Sequence, residues 1–120
     1  DRPMTCPAID TYEITDEQKL IDYLKDSTSH DLAANEFWPG DYDDLSCALL
    51  DAGWRVTWYA PYWFAAQRAT GGTWAEYIEG DLYARDTLWE CDLYKETIQN
   101  PAHIITIYEN GHPPQVIADF

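Results

Sequence analysis

Acidic side chains outnumber basic ones by 22 to 7 in this chain, a formal net charge of −15, yet it also carries six Trp, nine Tyr and three Phe. Together these two facts narrow what it can fold into. A disordered acidic tail lacks rings, because it has no core in which to bury them. A chain with this much aromatic area can fold, and its carboxylates must then stay outside. The expected product is an apolar core under a strongly negative surface, and such a surface favours a basic partner.

At 120 residues, a single domain over 1–120 is expected, long enough to bury a core without help from metals or cross-links. Cys6, Cys47 and Cys91 are odd in number and widely spaced, with no CxxC and no Cys/His pair at a zinc spacing. A disulfide framework is not expected, Cys47 reads as a small core hydrophobe, and a reducing cytoplasm fits best. The N-terminus has no apolar leader, and the longest uncharged aromatic run, Val56 to Gln67, is too short and too polar to cross a bilayer. Negative charge also argues against anionic membranes and against direct DNA or RNA contact, since phosphates call for Lys and Arg.

Thr15-Asp16-Glu17-Gln18 reads as a capping box, followed by the stripe Leu20, Ile21 and Leu24, so a first helix is expected at about 16–26. Ser29 to Phe37 suggests a short helical turn. Pro39-Gly40-Asp41 is a breaker, and Leu45, Ala48, Leu49 and Ala52 then share one face of a second helix at roughly 42–52, ended by Gly53. From Trp54 the period changes to two. Trp54 to Tyr59, Tyr62 to Ala69 and Trp74 to Glu79 read as strands, with Thr70-Gly71-Gly72-Thr73 as a hairpin turn and Gly80 as a bulge before Asp81 to Arg85. Thr87-Leu88-Trp89-Glu90 repeats the capping-box pattern, and 88–98 fits a third helix or an added strand. His103 to Tyr108 and Gln115 to Ala118 form a closing hairpin. Helices and strands are segregated along the chain. That order predicts an α+β fold with two N-terminal helices packed on a mainly antiparallel sheet, and a third helix before a C-terminal hairpin.

Residues 1–53 hold 13 acidic and three basic side chains, so the helical part is the more acidic one. Averaged over the whole surface, roughly 450 Å² per net charge is far more dilute than DNA at on the order of 100 Å². The chain resembles nucleic acid electrostatically only if its carboxylates gather on one side. Asp22 and Asp26, one turn apart on the first helix, and Asp41, Asp43 and Asp44, at the start of the second, are the candidates for such an acidic face. Like charges at i,i+4 cost a few tenths of a kcal/mol. Helix capping and solubility account for the same residues without a partner.

An alternative site is aromatic. If the inward rings of 54–83 pack on the helices, Tyr59, Trp63 and Tyr77 supply an outward face for a ligand or a protein, although core packing accounts for most such rings. A third reading is catalytic. Glu76, Glu79 and Asp81 are the most enzyme-like acids, with Glu79 and Asp81 on one strand face and His103, at the start of a later strand, as the third member of such a site, against the plainer role of exposed strand acids. No nucleotide-binding loop, HExxH or Gly-x-Ser-x-Gly is present. The sequence thus points to a small acidic binding protein without catalysis, cofactor or metal. Its expected partner is a basic protein surface, and its sharpest form is a nucleic-acid mimic that inhibits a nucleic-acid-binding protein, as a phage or plasmid product does.

Overall fold

Side chains on successive strand residues point to opposite faces, and here both faces are buried. The structure, a computed structural model, describes residues 18, 20–22, 32–33, 42–60, 62–100 and 104–117; the side chains of 32–33 and 42–44 lie outside that set. In chain order the elements are β1 (Leu32–Ala33), α1 (Tyr42–Asp51), β2 (Arg55–Ala60), β3 (Trp63–Gln67), β4 (Trp74–Ile78), β5 (Asp81–Arg85), a 3-10 turn (Leu88–Glu90), α2 (Asp92–Gln99), β6 (Ile105–Ile107) and β7 (Gln115–Ile117). The five-stranded sheet runs β1-β5-β4-β3-β2, all antiparallel, and β6 and β7 form a separate antiparallel pair. Val56 N–H donates to the Tyr108 carbonyl at 2.9 Å and Tyr108 N–H returns the bond at 2.8 Å, which ties the small hairpin to the free side of β2. Mixed helix and antiparallel sheet make this an α+β chain.

On one face, Leu20, Leu45, Ala48 and Leu49 from the helical segments meet Val56, Phe64, Ala66, Ala75, Tyr77 and Leu82 from the sheet. Phe64 and Tyr77 are register partners and stack with ring centroids 5.0 Å apart. On the other, Ala65 and Trp74 meet Leu88, Cys91, Leu93, Ile105 and Ile107. The period-2 pattern of β3 and β4 therefore sorts residues between two cores rather than between core and solvent. Burial on both sides explains why Trp-Phe-Ala-Ala-Gln and Trp-Ala-Glu-Tyr-Ile hold a single charge between them.

Some sequence expectations are met in part. Residues 18 and 20–22 are helical, and the rest of the expected first helix lies outside the described residues. Helix α1 stops as its sequence dictates. Gly53, at φ 98°, donates to Leu50 O at 3.0 Å, and Trp54 N–H reaches back to Leu49 O at 2.9 Å. This pair of bonds is the Schellman ending, with buried Trp54 supplying its apolar contact.

Others are corrected. Glu79-Gly80 is a two-residue turn, with φ 49° and 103° and Ile78 paired to Asp81, so the expected bulged strand is a hairpin. Two positive φ values mark a type I′ turn, and Glu at its first position gives none of the usual Asn or Asp signal. Leu32–Ala33 pairs with β5 where a helical turn was expected. Thr87 makes no side-chain cap, and 88–98 divides into the 3-10 turn and α2. Cys47 is fully buried, as expected, but it is disulfide-bonded, while Cys91 is the free thiol. Spacing along the chain says nothing about Cα separation in space, and an odd count accommodates a pair and a single thiol.

A Cβ on Gly53 would meet nothing within 4 Å, so only backbone conformation penalises it. Gly53→Ala should cost about 1–2 kcal/mol in a denaturant titration, and Gly53→Asn should recover part of that loss.

Candidate functional site

A carboxylate sits at the centre of the sheet with no exposure to solvent: Glu76, on the middle strand β4. Its register partners are Ala65 on β3 and Tyr83 on β5, so Trp63 and Arg85 are its diagonal neighbours on the same face. Long side chains span that diagonal, and the small Ala65 leaves the space. Trp63 Nε1 donates to Oε2 at 2.8 Å and Arg85 Nε donates to Oε1 at 2.9 Å. The remaining lone pairs face the start of α2. Asp92 N–H donates to Oε1 and Leu93 N–H to Oε2, each at 2.9 Å. Both oxygens are thereby doubly satisfied.

This explains how α2 begins without a cap of its own. Its N-cap position is Cys91, whose side chain makes no capping bond. A buried anion sixteen residues earlier in sequence supplies the acceptor and complements the positive end of the helix. Burial lowers the Arg85 pKa, but its hydrogen bond and charge contact with Glu76, aided by Asp92, outweigh that and raise it overall. Burial pushes the Cys91 thiol well above its usual range, and the Glu76 charge pushes it further, so the thiol stays protonated and unreactive.

One oxygen, Glu76 Oε1, receives both Arg85 and Asp92 and so closes the intervening segment 86–91 into a loop. That loop is one wall of an open groove of about 420 Å³. Buried Trp74, Leu88 and Ile107, with half-buried Ile117, form its floor, while exposed Asp86 and Trp89 stand at its rim. Trp89 is 52 % exposed and rests edge-on against Tyr94, centroids 4.7 Å apart. Opposite, Gln67 holds the glycine turn by donating to Gly72 O at 2.8 Å, and Arg55 donates to Gln67 Oε1 at 3.1 Å while pairing with Glu109.

The sites expected from sequence are distributed differently. Asp22 is exposed and accepts from Gln18 Nε2 at 2.8 Å. Asp26 and Asp41 lie outside the described residues, as do the side chains of Asp43 and Asp44. Of the aromatic trio, Tyr59 and Trp63 are half-buried and edge-on at 4.9 Å on the α2 side, whereas Tyr77 is buried against Phe64 on the α1 side. The three therefore do not share one outward face. Glu79 is exposed in a turn and Asp81 half-buried at the start of β5, so they do not form the strand pair expected of them; His103 lies outside the described residues. Among the described residues no three His, Cys, Asp or Glu side chains cluster in a way that could hold a metal ion.

In the sequence Glu76 stands among the enzyme-like strand acids, and no motif marks it as a buried anchor or Leu88 and Trp89 as groove residues. A signal existed: Glu76 lies two residues from Trp74 on the same strand face, in a segment otherwise apolar. Compared with known proteins, the chain matches no protein family, no curated protein and no solved structure.

Glu76→Gln presents an NH₂ group to two donors and leaves Arg85 short of a charge. It should destabilise the fold by about 3 kcal/mol or more in equilibrium denaturation, against less than about 0.5 kcal/mol for the exposed Glu79→Gln.

Proposed function

We propose that this chain is a small non-catalytic binding protein that engages a basic protein partner through its acidic surface. The supporting observation is how charge divides between inside and outside. Arg85 is occupied by Glu76 and Asp92, and Arg55 by Glu109. Glu79, Asp86, Glu90 and Glu96 are exposed, and none makes an ion pair with a described residue. Two of the four described cations are thus held by acids of the same chain, Lys95 stands exposed, and four exposed carboxylates are left unpaired by described residues, on a chain whose net charge is −15. Exposed Asp22 belongs to this surface in the same reading, and Asp26, Asp41, Asp43 and Asp44 are the further acids it proposes for partner binding.

The disulfide at Cys47 supports an oxidising compartment in place of the cytoplasm expected from sequence. An exported or surface-located basic protein is accordingly a better partner than a cytosolic nucleic-acid-binding enzyme. The nucleic-acid-mimic version requires a partner that DNA also occupies.

Immobilised protein should capture a basic partner at low salt and release it as ionic strength is raised above the physiological value toward about 1 M, where the Debye length falls to about 3 Å. Retention of the captured protein at high salt, or capture undiminished by Asp86→Asn, Glu90→Gln and Glu96→Gln together, would overturn the reading. Competition by duplex DNA for the same protein separates the mimic from a plain acidic binder. For the compartment, reducing the Cys47 disulfide should lower unfolding free energy by about 2–5 kcal/mol. A melt unchanged by dithiothreitol would count against a structural bond.

A further inference from the structure

We propose that the groove between the 86–91 loop and the β6–β7 hairpin receives an extended, basic peptide segment of the partner, which adds as a strand to β7 and inserts an apolar side chain beside Ile117. This rests on the reading of a basic partner and names the surface that meets it.

Three observations converge. The first is an open strand edge. β6 pairs with β7 on one side and meets β2 through Tyr108 on the other, while the outer edge of β7 pairs with no described residue. Its residues, Gln115, Val116 and Ile117, include no charge, Pro or Gly, and the guards at this edge are the shortness of the strand and the Pro113-Pro114 pair just before it. The second is what lies beneath that edge. Ile105 and Ile117 are register partners on the inward side of the hairpin. A strand added outside β7 would set its own inward residue next in that row, over the groove floor of Trp74 and Leu88. At about 420 Å³ the space suits one or two side chains, near the lower end of ligand pockets at roughly 300–1,000 Å³. On the outward side, Val116 is 55 % and Ile104 57 % exposed, so the apolar surface continues across the hairpin.

The third observation decides the occupant. Asp86 lines the groove and Glu90 is exposed beside it, on a chain of net charge −15. A second copy of the chain would bring the same charge and be repelled. Nucleic acid and anionic membranes are disfavoured for the same reason. A segment alternating cationic and apolar residues satisfies all three features: backbone to the edge, apolar residues inward, cations toward the acids.

The test uses three short synthetic peptides at low salt, one alternating Lys and Leu, one Lys and Ser, one Ser and Leu, titrated calorimetrically against the whole chain. The Lys–Leu peptide should bind at least about tenfold tighter than either control, and Trp89→Ala should remove about that factor. Val116→Lys, which guards the edge, should do likewise, and the amides of Gln115–Ile117 should shift in NMR spectra on binding. Both substituted side chains are more than half exposed, so loss of fold is not a confounding outcome. If Lys–Ser binds as tightly as Lys–Leu and neither substitution matters, the groove proposal falls while the basic-partner reading stands. If Ser–Leu binds as tightly as Lys–Leu, the occupant is not selected by charge, and both fall. If none binds, the groove proposal falls and salt-dependent capture alone judges the partner.

Discussion

A single buried carboxylate holds the two halves of this structure together. Glu76 lies on the central strand and takes four hydrogen bonds, from Trp63 on β3, from Arg85 on β5 and from the first two amides of α2. Removing a carboxylate from water costs several kcal/mol, and only complete satisfaction offsets it. Each donor is therefore fixed in place by the penalty its absence would incur. Apolar contacts alone would let α2 slide or rotate over the sheet; charge-assisted bonds to its terminal amides specify one position. The groove inherits that position, because the loop that walls it starts at Arg85 and ends at Asp92.

The same logic explains the composition of the sheet. Strands buried on both faces cannot carry solvated charge, so β3 and β4 are nearly free of it, and their one acid is the internal anchor. Rings occupy both cores: Phe64 and Tyr77 stack toward α1, while Trp74, Trp63 and Tyr59 face α2. Aromatic richness and acidity are thus separated by position. Among the described residues most rings lie in the two internal layers, Tyr62 and Trp89 being exposed, while most carboxylates other than Glu76 lie in loops, turns and outer helix surfaces.

Much of the fold was legible, and what was missed has a common cause. Local signals worked where local physics decides. Gly53 ends α1, Gly71 and Gly72 lie in the β3–β4 turn, both at positive φ, and the C-terminal hairpin pairs as its β-branched alternation predicts. Failures came where a distant residue overrides local pattern. Thr87 and Glu90 look like a capping box that would start a helix at Leu88, but α2 starts four residues later, at Asp92, because Glu76 is there to receive it. Glu79-Gly80 looks like a bulge in one long strand, because only the pairing of Ile78 with Asp81 reveals the turn. The candidate site was harder still. Leu88, Ile107 and Ile117 are ordinary apolar residues in sequence, and they form a groove only after the sheet, loop and hairpin meet.

Charge and groove have different ranges, and in the proposed function that difference gives each a distinct part in binding. Exposed carboxylates act over about a Debye length, roughly 8 Å at physiological salt, so they hasten encounter with a cationic surface and discourage anionic ones. They select poorly among cationic partners, since many present similar fields. A strand edge and an apolar slot act only at contact, where register and side-chain shape matter, and differences of that kind govern how long a complex lasts. A chain with the acidic surface alone would bind basic proteins indiscriminately, and one with the groove alone would invite self-association through an uncharged edge. Under the proposed reading the surplus of negative charge supplies the missing guard: it repels like chains at β7 while leaving that edge open to a basic strand.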